Sequence, residues 1–250
     1  MKKIKGGVAF ALFVMMMCAF SSCGFTGISS SVTGGSSKSD VGTSIFFGSY
    51  EQDNNTSNGK EDIEWLILDR EGDQVLVISR YALDYQPYNS KSTDVTWQTC
   101  SLRTWLNDTF LNDAFSSDEQ AMIQNTAVTD SMNPSYGTSP GNDTKDKVFL
   151  LSIKEAYNSC FNSDDARTCQ GTAYCVWLRN QFGGGAAVID SNLPAFNKDE
   201  NRSFSWWLRS PGSKYSNAAL VTNVGSVTDR GWGVEAKEAV RPAMWVNLGS

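Results

Sequence analysis

Only the residues after position 43 of this chain can build a core. Lys2, Lys3 and Lys5 form a cationic start, residues 8–19 are almost continuously apolar, and Phe20-Ser21-Ser22-Cys23 follows as apolar, small, small, cysteine. That order reads as a bacterial lipoprotein signal, cut before Cys23 with acyl chains attached at that residue. Cys18 fits worse, because Met15-Met16-Met17 places bulky side chains where cleavage needs small ones. The alternative is a secretory signal cut at an ordinary site. The apolar stretch is shorter than the ~20 residues a membrane span needs. Residues 24–43 are dominated by Ser, Gly and Thr and bury too little apolar surface to fold. The expected division is therefore a signal over 1–22, a flexible tether over 23–43 and a single domain over 44–250. Lipid at Cys23 would hold that domain to the membrane on the extracytoplasmic side, at the cell surface.

What the domain lacks narrows its chemistry. The sequence contains no histidine, which excludes a Ser-His-Asp triad, a Cys-His pair and every His-ligated metal. Loss of the signal removes three lysines and takes the formal net charge from −6 to −9, so nucleic acid is not an expected partner. Cys100, Cys160, Cys169 and Cys175 remain after Cys18 and Cys23 are set aside. They show no Cys-x-x-Cys spacing for zinc; export favours disulfides among them, and four thiols allow three pairings. Asp164-Asp165 suits either a calcium ligand pair or a helix start, and no run of acids alternates as a dedicated calcium loop does. No motif implies a cofactor or a metal.

Periodicity predicts a mixed, β-rich domain. Residues 45–50, 63–68 and 74–79 read as strands, the last two joined as a hairpin through Arg70-Glu71-Gly72-Asp73. Leu102, Trp105 and Leu106 recur at helical spacing over 99–107, and Ser117 with Gln120 predicts a capped helix to about 125. Pro134, Gly137, Pro140 and Gly141 make 131–147 a loop long enough to be either functional or tied down. A strand over 148–153, a short helix capped by Ser152 and Glu155, a helix over 172–181 broken by Gly183-Gly184-Gly185, and a polar stretch over 190–203 follow. Strands over 218–222, from 227, and over 240–246 close the chain.

The order of Phe47-Gly48-Ser49-Tyr50, Ile63-Glu64-Trp65-Leu66-Ile67-Leu68, Ser101-Leu102-Arg103-Thr104-Trp105-Leu106, Phe115-Ser116, Trp207-Leu208-Arg209-Ser210-Pro211-Gly212 and Val240-Arg241-Pro242-Ala243 resembles a family of uncharacterised domains found in secreted and surface lipoproteins of Firmicutes. The closing block is also similar to the C-terminal half of formylglycine-generating-enzyme-like domains, which have the C-type-lectin-like fold. The resemblance implies an α+β domain with helices flanking a twisted, mainly antiparallel sheet and long irregular loops carrying a ligand site. Chemistry does not carry over with it. No cysteine follows Cys175 to supply the oxidase pair, and the Glu-Pro-Asn, Gln-Pro-Asp and Trp-Asn-Asp tripeptides of calcium-dependent lectins are absent.

Two blocks are left as ligand candidates. In Trp206-Trp207-Leu208-Arg209-Ser210-Pro211-Gly212, indoles beside Arg209 could stack on a sugar or peptide, or fill the core while Arg209 pins backbone carbonyls. In Gly231-Trp232-Gly233, the flanking glycines let Trp232 stand out at a loop tip beside Asp229 and Arg230, or close a hairpin from inside. The sequence thus favours a non-enzymatic domain that binds a glycan, peptide or protein through Trp232, Arg230, Asp229 and Arg209. A carboxylate-dependent glycoside hydrolase and a purely structural envelope module are the alternatives.

Overall fold

Apolar side chains alternate along 61–71 so that Ile63, Trp65 and Ile67 share one face. In the computed structural model, which describes residues 40–182 and 203–249, this run is strand β2 (Glu61–Glu71), and those three side chains are buried. It pairs antiparallel with β1 (Ser44–Tyr50) on one side and β3 (Gln74–Ser79) on the other. Gly72 and Asp73 make the two-residue connection, with Gly72 at φ 61° as such hairpin turns require. The fourth strand of this sheet is β11 (Ala243–Asn247), which comes from the far end of the chain to pair with β3.

A second sheet has five strands in the order β4 (Asp84–Pro87), β10 (Lys237–Val240), β7 (Trp206–Pro211), β8 (Asn217–Val221) and β9 (Val227–Gly233). All neighbours run antiparallel except β10 and β7. A small ladder joins β5 (Thr126–Val128) to β6 (Thr144–Asp146). Trp206 and Trp207 are both fully buried, and each indole N–H is satisfied, by the carbonyls of Arg167 (3.2 Å) and Gln86 (3.0 Å) respectively. The architecture is α+β, with sheets dominating and short helices between them.

The helices follow the apolar spacing with some irregularity. α1 (Ser101–Trp105) passes through one wide π turn (Leu106–Phe110) into α2 (Leu111–Ala114), and the turn brings both Phe110 and Leu111 inward. α3 (Ser117–Met122) is capped one residue earlier than expected. Ser116 is the cap and Glu119 the returning side chain, with Ser116 N donating to Glu119 at 2.8 Å. The doublets Ser116-Ser117 and Glu119-Gln120 fit either register, and a carboxylate is favoured over an amide at a helix start. α4 (Asp164–Arg167) begins at Ser163, so Asp164-Asp165 opens a helix. α5 (Ala173–Phe182) matches the helix expected over 172–181. Among the described residues no helix is long and apolar enough to cross a membrane.

Three expected elements differ. Residues 148–153 form no strand, because side chains take their backbone groups: Asn107 accepts from Val148 N and donates to Val148 O, and Ser210 Oγ accepts from Ile153 N. Only Phe149 bridges Ala243. Ser152 and Glu155 exchange the expected capping bonds, yet the chain beyond them makes two 3-10 turns rather than a helix. The run 240–246 is two strands rather than one, since Pro242 has no N–H for a ladder and its carbonyl instead accepts from Ser79. There the chain leaves the second sheet and enters the first. The signal, Cys23, the tether up to residue 39, the Gly183-Gly184-Gly185 break and the stretch 190–202 lie outside the described residues.

Candidate functional site

β9 ends the five-stranded sheet, and its register with β8 is broken in an informative place. Leu220 faces Thr228, but the next pairing is Ala218 with Trp232, so Ala219 stands opposite Asp229, Arg230 and Gly231. Gly231 lies at φ 65°, and a Cβ there would come within 2.1 Å of the Ala218 carbonyl oxygen. Only glycine lets the chain make this bulge. Beyond it Trp232 stands 45% exposed, in a strand at the sheet edge rather than at the expected loop tip.

Two neighbouring segments border this edge. Asn133 is buried and donates through Nδ2 to the carbonyls of Pro211 (2.8 Å) and Asp229 (2.7 Å). Its Oδ1 accepts from the backbone N–H groups of Ser135 and Tyr136, each at 3.1 Å. Ser135 Oγ donates to the Asp229 carboxylate. The long loop is therefore tied down against β9, and it presents Met132 and Tyr136 as exposed side chains. On the other flank Ser213 N donates to Arg230 O (2.8 Å) and Val234 N to Ser216 O (3.0 Å), which brings in the exposed ring of Tyr215. Asp229, Arg230 and Trp232 are thus together, with Tyr136 and Tyr215 contributed by adjoining turns. Neither tyrosine nor Asn133 stands out in the sequence; the placing of Asn133 and Tyr136 depends on contacts with Asp229 nearly a hundred residues away.

Arg209 is elsewhere. It lies on β7, two strands from β9, and its side chain is 4% exposed. The guanidinium donates to Leu150 O (2.8 Å), to Thr129 O (2.6 Å) and through both terminal nitrogens to Glu155. It is engaged with the protein's own acceptors and does not join the β9 group. Arg241 acts similarly: Nε donates to Ser79 O at 2.8 Å, and the cation lies between Phe161 and Trp206.

Two of the acids with raised pKa values, Asp84 and Glu238, lie on the paired strands β4 and β10, and Asp130 lies apart from them beside Ser210. Burial lifts Asp84, whose oxygens accept from Tyr50 Oη and Tyr85 N, each at 2.7 Å. Burial also lifts Asp130, which accepts from Ser210 Oγ at 2.6 Å, and pushes Glu238 up to about 8. Glu51 and Asp53 in the β1–β2 loop and Glu61 at the start of β2 bring carboxylate oxygens within 4.8 Å of one another. Gln52 N and Asn58 Nδ2 already donate to two of them. The expected disulfides are not made: Cys100, Cys169 and Cys175 are free and buried, and Cys160 Sγ lies 3.5 Å from Ile67 O. Burial raises the Cys100 thiol to about 12, far from the thiolate range.

A β-dominated α+β domain with an aromatic, polar-flanked sheet edge is the class that these features define. Residues 72–248 match the family described as Domain of unknown function (DUF6273), and the chain belongs to that family. The match opens at the β2–β3 turn and runs past β11. No curated protein and no solved structure matches the chain.

Proposed function

We propose that this is a surface lipoprotein, anchored through Cys23, whose C-type-lectin-like domain binds a glycan, peptide or protein ligand at the β9 edge without chemical turnover. The exposed indole of Trp232, held out by the Gly231 bulge beside Arg230 and Asp229, carries the reading. A large aromatic kept out of the core at the cost of a glycine-only conformation is expected where a ring must meet a partner. Tyr136 and Tyr215 are exposed on segments bonded to β9, and Arg230 and Asp229 supply a donor and an acceptor beside the indole. Arg209 supports the site from a distance: it holds Thr129 at the root of the loop that carries Asn133 and Tyr136.

Full-length protein in detergent, applied to a glycan array and to polysaccharide pull-downs, tests this reading. Trp232→Ala is expected to weaken binding tenfold or more while changing stability by less than about 1 kcal/mol, as fits a half-exposed side chain. Release of reducing ends in the same assay would replace the reading with a glycoside hydrolase, and no binding by the wild type would favour a structural module. Anchoring has its own check. Cells fed an alkyne-tagged fatty acid should label the wild-type protein and leave Cys23→Ala unlabelled and shed into the medium; equal labelling of both would remove Cys23 from the proposal.

A further inference from the structure

Helix α5 packs over β4, and β4 is paired to β10. Cys175 Sγ sits 3.3 Å from Asp84 O, Arg179 lies over the Phe204 ring at 4.2 Å, and Lys237 of β10 lies over Phe182 of α5 at 3.5 Å. Two polar side chains in this region are left without hydrogen-bond partners. The Asn180 amide has both its nitrogen and its oxygen buried and unbonded. Glu238 is 8% exposed, and among the described residues its carboxyl makes no hydrogen bond or ion pair. Native structures satisfy nearly all such groups, so an element held at this polar cost is poised to move.

We infer that this seam is a proton-controlled latch: α5 seats on the β4–β10 pair while Glu238 carries a proton and is released when that proton leaves. A neutral carboxyl is far cheaper to bury without a partner than a carboxylate. Burial raises Glu238 from its ordinary 4.5 to about 8, with the Arg179 charge opposing that rise. The other groups at the seam are Tyr85 on β4, which feels the Glu238 charge, Lys237 beside Glu238 on β10, Asp84 next to Tyr85 on β4, and Cys175 on α5. The sign follows from linkage. The seated state holds the proton more tightly than the released one, so seating is strongest below about 4.5, weakens as pH rises toward 8 and is level above that.

Hydrogen exchange of α5 peptides in the full chain tests this, each rate being divided by that of Glu238→Gln at the same pH to remove the intrinsic pH dependence. The ratio should climb by up to about tenfold per pH unit between roughly 5 and 8, then flatten. Asp84 is the other buried carboxyl in reach and is unchanged in this variant, so the ratio isolates Glu238. Glu235→Gln, on the exposed turn before β10, should behave as wild type. A flat ratio in the wild type, or loss of the climb in Glu235→Gln, would overturn the latch. Should Glu238→Gln fail to fold, the wild type decides: α5 must lose protection relative to the β2–β3 hairpin across this window, and parallel loss in both would overturn it.

Discussion

Replacing Arg209 with methionine should lower the stability of the domain by about 3–5 kcal/mol in urea or thermal unfolding, the range found when one partner of a buried charge pair is removed. The guanidinium is buried and serves Glu155, Leu150 O and Thr129 O at once. Methionine fills much of the volume but leaves two carbonyls without donors, and each buried orphan costs about 1–3 kcal/mol. Glu155 is less of a burden, since its side chain is 34% exposed and water can reach it. Arg209→Lys should recover part of the loss, because an ammonium keeps the charge but cannot span acceptors on three segments as a planar fork does. A methionine variant within 1 kcal/mol of wild type would show that the segments around 129, 150 and 155 hold together without this residue.

Gly225→Ala should cost about 2–5 kcal/mol. Gly225 lies in the β8–β9 turn at φ 85°, where a Cβ would fall 1.8 Å from the Asp164 carbonyl oxygen. The left-handed conformation alone costs an alanine roughly 1–2 kcal/mol, and moving a packed neighbour aside adds roughly 1–3 more. α4 cannot yield easily, since Arg167 Nε donates to Gly225 O at 2.8 Å and Ser226 Oγ to Asp164 at 2.6 Å. Gly72→Ala is the matched control. It shares the positive φ but has nothing within 4 Å of the new Cβ, so it should show the conformational penalty alone. Equal losses of melting temperature in the two variants would mean that α4 does not press on the turn.

Residues whose signal is local were the legible ones. The β2–β3 hairpin follows from two β-rich runs and the turn at Gly72-Asp73, whereas the glycines around Trp232 leave both an exposed ring and one closing a hairpin from inside open, and the structure exposes it. β4 escaped because four residues, Asp84 to Pro87, carry no period, and β7 because a strand buried on both faces shows no alternation. Arg209 beside two tryptophans has the same sequence whether it meets a ligand or pins carbonyls; only its distance from β9 separates the readings. The Asn133 clamp joins residues 78 and 96 positions apart, which no local pattern announces.

The switch at Arg241-Pro242 also sets when the domain can become whole. β3 finds its outer partner in the last strand of the fold, Val77 facing Met244, and everything from β4 to β10 is laid down between them. Such pairings close late and slowly, because the chain between them must first be gathered in. Until residues 243–247 arrive the outer edge of β3 stays unpaired, so a chain cut short of β11 would offer that edge to any other strand it met.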